Sequence, residues 1–281
     1  MRLVHNISEV NSLIKDLKGK GVFMGLVPTM GSLHEGHISL VEKSTSQNGI
    51  TAVSIFVNPT QFNEKQDFES YPRNLDDDLD ILARFPVDIV FAPPAKEIYP
   101  KPDTRVFDFG GLDRIMEGEH RPGHFNGVAQ VVSRFFEIIT PDRAYFGEKD
   151  FQQMVIIRKM VLDLKSSVRI IGCPIIREEN GLAMSSRNRL LSAGERNSAA
   201  RIHKALTLAK EKAGEVEIPR LIEQTIQFLH EDPRLKTEYF EIIDDQNLKP
   251  LSHWSSAGGK RACIAVKIGN VRLIDNMDFS F

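Results

Sequence analysis

Apolar residues recur first at helical spacing: Ile7, Val10, Leu13, Ile14 and Leu17 follow Asn6, with Glu9 three residues on as a capping partner. Gly19 and Gly21 end that helix, and the apolar run 22–28 reads as a strand. Ile38, Leu40 and Val41 open a second helix that runs to about Gln47. The β-branched stretch 50–57, closed by Asn58-Pro59, suits a parallel strand buried on both faces. Leu75, Leu79 and Leu82 mark a helix over 74–84, whose carboxylates are expected on a solvated face, and 87–92 is the next strand. The proline-rich stretch 93–102 is expected to be irregular, and 103–123 to hold a short strand and a long surface excursion. Phe125, Val128, Val132, Phe135 and Ile139 mark a strongly amphipathic helix, followed by strand 144–146, helix 151–163 and strand 168–173.

Strand alternating with helix implies βαβ units, and right-handed crossovers make residues 1–175 an α/β, Rossmann-like doubly wound parallel sheet. The pattern changes after Ser192. Helices over 192–213 and 218–231 precede strands near 237–243, 260–268 and 271–275, so 176–281 is expected to form a smaller α+β C-terminal domain. The polar loop Met184-Ser185-Ser186-Arg187-Asn188 lies near the boundary.

Ligands of such sheets bind beyond the carboxyl ends of the strands. The loops Pro28–His37, Asn58–Phe62 and Gly147–Asp150 all fall there. The first is a tight glycine turn leading into a helix, which aims backbone N–H groups and a helix dipole at an anion. His34 and His37 share one face of that helix start. They suit a nucleotide phosphate. They could also be structural, or two ligands of a metal, though no Cys or His/carboxylate cluster completes a four-ligand set. The Lys149 ammonium could neutralise charge on a transferring phosphoryl group, and Gln61 and Gln153 are amides able to donate and accept. Ser185, Ser186 and Arg187 offer hydroxyls and a guanidinium fork, or are a plain hydrophilic linker. Asp76-Asp77-Asp78 could hold magnesium, but a solvated helix face is preferred because Mg²⁺ in nucleotide enzymes is often held by phosphates and water.

A net charge of −2 over 281 residues argues against nucleic-acid binding by general electrostatics. The two cysteines are far apart within apolar runs, which points to a reducing cytoplasm rather than a disulfide framework. The N-terminus has no apolar signal core, and no stretch is apolar enough for a membrane span.

Five blocks occur in order over the first two thirds of the chain: Pro28-Thr-Met-Gly-Ser-Leu-His-Glu-Gly-His37, Val53-Ser-Ile-Phe-Val-Asn-Pro-Thr-Gln-Phe62, Arg121-Pro-Gly-His-Phe125, Asp142-Arg-Ala-Tyr-Phe-Gly-Glu-Lys-Asp-Phe-Gln-Gln153 and Met184-Ser-Ser-Arg-Asn188. On these blocks the chain resembles the pantoate–β-alanine ligase (pantothenate synthetase) family. The His-x-Gly-His element alone is shared by a wider nucleotidylyl-transfer superfamily. The resemblance implies a nucleotidylyltransferase-like sheet and an ATP-dependent two-step ligation with Mg²⁺. Pantoate would attack the α-phosphorus of ATP, releasing pyrophosphate, and β-alanine would then displace AMP from the pantoyl adenylate. Carried over by motif, Met30, Gly31, Ser32, Leu33, His34, Glu35, Gly36 and His37 would line the ATP site, with His37 as proton donor. Gly147, Glu148, Lys149 and Asp150 would grip ribose and phosphates, Ile176 would touch adenine, and Met184, Ser185, Ser186 and Arg187 would close over the nucleotide with the second domain. Gln61 and Gln153 would hold pantoate, with Asn58 beside them. The ligands of the metal are not identified. A cytoplasmic homodimer is expected. In place of the Lys-Met-Ser-Lys-Ser loop of class I tRNA synthetases the chain has Ala183-Met184-Ser185-Ser186-Arg187, which weakens that reading. A nucleotidyltransferase that releases only pyrophosphate, and a non-catalytic ATP sensor, are the remaining rivals.

Overall fold

The computed structural model describes residues 1–19, 21–63, 68–69, 71–256 and 258–280. Two compact units divide the chain: Met1–Glu148 with Gln152–Pro174, and Lys149–Phe151 with Ile175–Phe281. A single break near residue 175 does not anticipate that the turn carrying Lys149 groups with the second unit.

The first unit is built on six parallel strands, β1 (Arg2–Val4), β2 (Met24–Thr29), β3 (Ile50–Ile55), β4 (Ile89–Phe91), β5 (Arg143–Gly147) and β6 (Arg169–Cys173), in the spatial order β1-β4-β3-β2-β5-β6. The order reverses at β2, which pairs with β3 on one side and β5 on the other. Crevices open at such reversals. The connecting helices are α1 (Ile7–Leu17), α2 (Glu35–Gln47), α3 (Leu75–Leu82), α4 (His124–Ile139) and α5 (Phe151–Asp163). Central strands are apolar on both faces, as a sheet covered by helices requires. Val27, Val53 and Val90 form one core with Leu40 and Val41 of α2 and Leu82 of α3.

Two local expectations are corrected, and one edge strand is added to the pattern. β1 extends the sheet by pairing with β4. The proline-rich stretch contains a short helix, Ala95–Ile98. Residues 103–123 hold no strand. Side-chain amides of α4 take the place of a neighbouring strand there: Gln130 Nε2 donates to the carbonyls of Asp103 (3.0 Å) and Arg105 (2.9 Å), and Asn126 accepts from Phe107 N–H at 2.9 Å.

The second unit packs α6 (Ala193–Ala199), α7 (Arg201–Glu211) and α8 (Ile218–His230) with an antiparallel sheet, β7 (Leu235–Asp244), β8 (Lys260–Ile268) and β9 (Val271–Asp278). Leu206, Leu221, Ile242, Ile264 and Leu273 belong to its core. Cys173 and Cys263 are buried and form no disulfide, and burial pushes the Cys173 thiol up to about 11. No helix among the described residues is long and apolar enough to cross a membrane.

Candidate active site

The chain leaves β2 through two consecutive left-handed residues, Gly31 (φ 77°) and Ser32 (φ 52°). A non-glycine residue in that region costs about 1–3 kcal/mol and persists only where its surroundings hold it. The holder here is Asp78 in the first turn of α3. Its buried carboxylate accepts from Ser32 N–H at 2.9 Å and Leu33 N–H at 2.7 Å. A Cβ at Gly31 would stand 2.8 Å from Asp78 Oδ2, so glycine is needed both for the conformation and for the approach. Thr29 Oγ1 accepts from Gly31 N–H and donates to Ser54 O, tying the turn to β3.

These contacts correct two expectations. Asp76 and Asp77 are exposed, but Asp78 points inward and is structural. The amides of Gly31, Ser32 and Leu33 are engaged within the protein, so the turn itself is no open anion cradle.

His34 and His37 form a reciprocal cap on α2. His34 Nδ1 accepts from Gly36 N–H at 3.1 Å, and His37 Nδ1 accepts from His34 N–H at 3.4 Å. A ring nitrogen that accepts carries no proton, so each neutral imidazole has its hydrogen on Nε2. The rings lie 4.1 Å apart, centroid to centroid. The pair is thus two Nε2–H donors on a rigid helix start, with Glu35 and Gly36 supplying the backbone between them.

β3 ends in a 3₁₀ turn, Pro59–Gln61. Gly127 of α4 lets that helix press on the turn, because a Cβ there would collide with the Thr60 carbonyl. Gln61 is buried; its Nε2 donates to Met30 Sδ at 2.8 Å and its Oε1 accepts from Asn58 Nδ2 at 3.3 Å. His124 Nδ1 donates to Gln61 O at 2.8 Å. Asn58 is fully engaged by protein, with Nδ2 also donating to Gly127 O. The structure brings Met30, Asn58 and Gln61 together.

β5 runs into the 3₁₀ turn Glu148–Asp150 and directly into α5. The two glutamines that follow diverge. Gln152 is buried and braces the preceding excursion, donating to Leu112 O (2.7 Å) and Ile115 O (2.9 Å) and accepting from Glu117 N–H (3.0 Å). Gln153 is half-buried and makes no side-chain hydrogen bond among the described residues. Gly147 and Glu148 lie at the end of β5, and Asp150 is exposed.

Within the second unit, Lys149 is half-buried, and its ammonium has no ion pair among the described residues. Its carbonyl accepts from Asn276 Nδ2 at 3.0 Å, and Asn276 Oδ1 accepts from Arg261 Nη1 at 2.7 Å. Ile176 O accepts from Met184 N–H at 2.9 Å, closing the loop that carries the last motif. Ser185 caps the 3₁₀ turn Ser186–Leu190 by accepting from Arg187 N–H, and Ser186 is buried. Arg177 grips Asp275 with two hydrogen bonds, 2.6 and 3.0 Å. Asp275 and Asn276 were missed as organising residues; two adjacent buried polar residues inside an apolar strand pattern were the available signal.

The family model described as Pantoate-beta-alanine ligase matches residues 2–278. The chain belongs to the pantoate–β-alanine ligase family. It is accordingly an enzyme that joins pantoate to β-alanine. Among its relatives, the pantothenate synthetase of Bacteroides thetaiotaomicron is 48% identical over 279 residues, covering 99% of both chains. That of Aquifex aeolicus is 48% identical over 276 residues, covering 98% of this chain and 97% of the other. The crystal structure of pantothenate synthetase from Thermus thermophilus superposes with a TM-score of 0.93 at 40% identity, covering 99% of each chain. A ligase from Francisella tularensis, solved with β-γ ATP and β-alanine, gives 0.82 at 36% identity, covering 99% of this chain and 98% of its own. The fold is therefore that of the ligase family, parallel sheet and small antiparallel sheet alike.

Proposed function

We propose that the ligation proceeds through a pantoyl adenylate: pantoate and ATP react first, pyrophosphate leaves, and the amine of β-alanine then displaces AMP to give pantothenate. The observation that carries this reading is the family match over residues 2–278 with His34, His37, Gln61, Lys149 and Gln153 all in place. The substrates bring their own nucleophiles, so the protein's work is positioning and charge stabilisation. The Nε2–H groups of His34 and His37 donate to phosphate oxygens, and the Lys149 ammonium offsets charge on the transferring group. Gln61 and Gln153 hold pantoate, with Asn58 supporting Gln61. Met30 to Leu33, Gly147, Glu148 and Asp150 border the nucleotide, and Ile176 and Met184 to Arg187 of the second unit contribute adenine and phosphate contacts. No cluster of three His, Cys, Asp or Glu suited to a metal occurs among the described residues. A Mg²⁺ carried mainly by the triphosphate would offset the charge of the departing pyrophosphate. A homodimer and a cytoplasmic location complete the proposal. Two buried cysteines that form no disulfide support the second.

Purified protein supplied with ATP, Mg²⁺, pantoate and β-alanine should form AMP and pantothenate in equal amounts. Pyrophosphate release without AMP would make it a nucleotidyltransferase, and ATP binding without any product would make it a sensor; either result sinks the assignment.

His34→Asn separates capping from chemistry. Asparagine is among the best caps, so the melting temperature should hold or rise while ATP turnover falls about 10²-fold, the usual loss for one transition-state donor. Thermal melting and pyrophosphate release measure the two effects. Unaltered turnover would reduce His34 to a helix cap.

A further inference from the structure

An amide side chain is nearly symmetric in shape, so the hydrogen bonds around it decide which end faces where. For Asn58 two backbone groups and two hydroxyls decide the matter together. Thr60 N–H faces Oδ1 at 3.4 Å, and the Gly127 carbonyl faces Nδ2 at 3.0 Å. Two hydroxyls add to the oxygen side: Tyr99 OH donates to Oδ1 at 2.9 Å and Thr60 Oγ1 at 3.1 Å. The remaining proton of Nδ2 then reaches Gln61 Oε1 at 3.3 Å. The Nε2 of Gln61 then rests on the Met30 sulfur, a weak acceptor that a substrate oxygen displaces at little cost. Asn58 is 1% and Gln61 8% exposed, so water does not compete for these groups.

We propose that Tyr99 is a positioning residue that, through Asn58, locks the Gln61 amide so that it offers only N–H to the bound acid. The inference rests on the reading that Gln61 holds pantoate. It deepens that reading: the substrate atom opposite Gln61 has to be an acceptor, as a carboxylate oxygen is, and a group able only to donate is refused. Burial holds the Tyr99 phenol above its ordinary value, so its proton is present throughout the working pH range. The Tyr99 ring also contacts Phe56, with centroids 6.3 Å apart, so removing the hydroxyl alone leaves its seat intact.

The test is a double-mutant cycle on the whole enzyme, with KM for pantoate and for ATP taken from AMP formation. Tyr99→Phe should raise the pantoate KM about fivefold, the effect of one lost hydrogen bond, with the ATP KM and the melting temperature unmoved. In a Gln61→Ala background the same change should have no further effect, because its route to the substrate is gone. An equal effect in both backgrounds, or a matching rise in the ATP KM, overturns the proposal in favour of a merely structural tyrosine. Gln61→Ala without any change in pantoate KM overturns the underlying reading of Gln61 and the inference with it. An effect of Gln61→Ala beside a silent Tyr99→Phe overturns the positioning step alone. Should Tyr99→Phe fail to fold, Thr60→Val removes another donor from the same oxygen, on an exposed residue, and is read by the same cycle.

Discussion

Lys149→Ala should slow adenylate formation by about 10²–10³-fold, the cost of removing one preorganised charge-stabilising group, and leave the protein folded. The folding half of this expectation follows from how the turn is held. Asn276 grips the Lys149 carbonyl, a backbone group that alanine retains, and Arg261 in turn grips Asn276. The ammonium makes no ion pair among the described residues, so its removal strands no partner carboxylate there. The catalytic half follows from the chemistry proposed for the site. Negative charge shifts onto pyrophosphate as the pantoyl–phosphate bond forms, and a cation in a partly desolvated setting acts on that shift far more strongly than one in water. Pantoate-dependent exchange between ATP and pyrophosphate isolates the first step, and a thermal melt checks the fold. A variant that exchanges as fast as its parent would remove Lys149 from the machinery.

Asp78→Ala should cost roughly 2–6 kcal/mol of stability, because two buried amides lose their acceptor at about 1–3 kcal/mol each. The left-handed Ser32 also loses what holds it in place. Against a total stability of about 5–15 kcal/mol this is a large fraction. Asp78→Asn keeps one acceptor oxygen and should fall between parent and alanine variant. Urea unfolding distinguishes the three by midpoint at constant slope. Coincident curves for Asp78→Ala and the parent would show that the turn stands without the carboxylate. Activity is expected to fall with Asp78→Ala as well, since His34 follows directly on the turn that Asp78 secures.

Much of the parallel sheet was legible because its strands are buried on both faces and so read as unbroken apolar runs, as Ile50–Ile55 does. β1 was not: Arg2 and Leu3 are exposed and only Val4 is buried, so three residues at a sheet edge leave no pattern. The spacing of His34 and His37 put both on one helix face, but nothing in a one-dimensional pattern shows that the two rings accept from the backbone N–H groups of Gly36 and His34. Asp78 was hidden by its neighbours. Three consecutive aspartates in a first helical turn read alike, and which one turns inward is settled by where α3 meets the turn after β2. The Asn58–Gln61 polarity was equally out of reach, because it depends on Tyr99 and Gly127, 41 and 69 residues away along the chain.

Helix α2 begins on histidine where asparagine, aspartate or serine would cap more tightly. A programme of thermostabilisation that scored only melting temperature would therefore meet His34→Asp as an improvement, the more so because a carboxylate suits the positive end of a helix. On the role proposed for His34, the same carboxylate would face the incoming triphosphate, and like charges would drive the two apart. On that role, a design scored on stability alone would yield a sturdier protein with a poorer grip on its nucleotide.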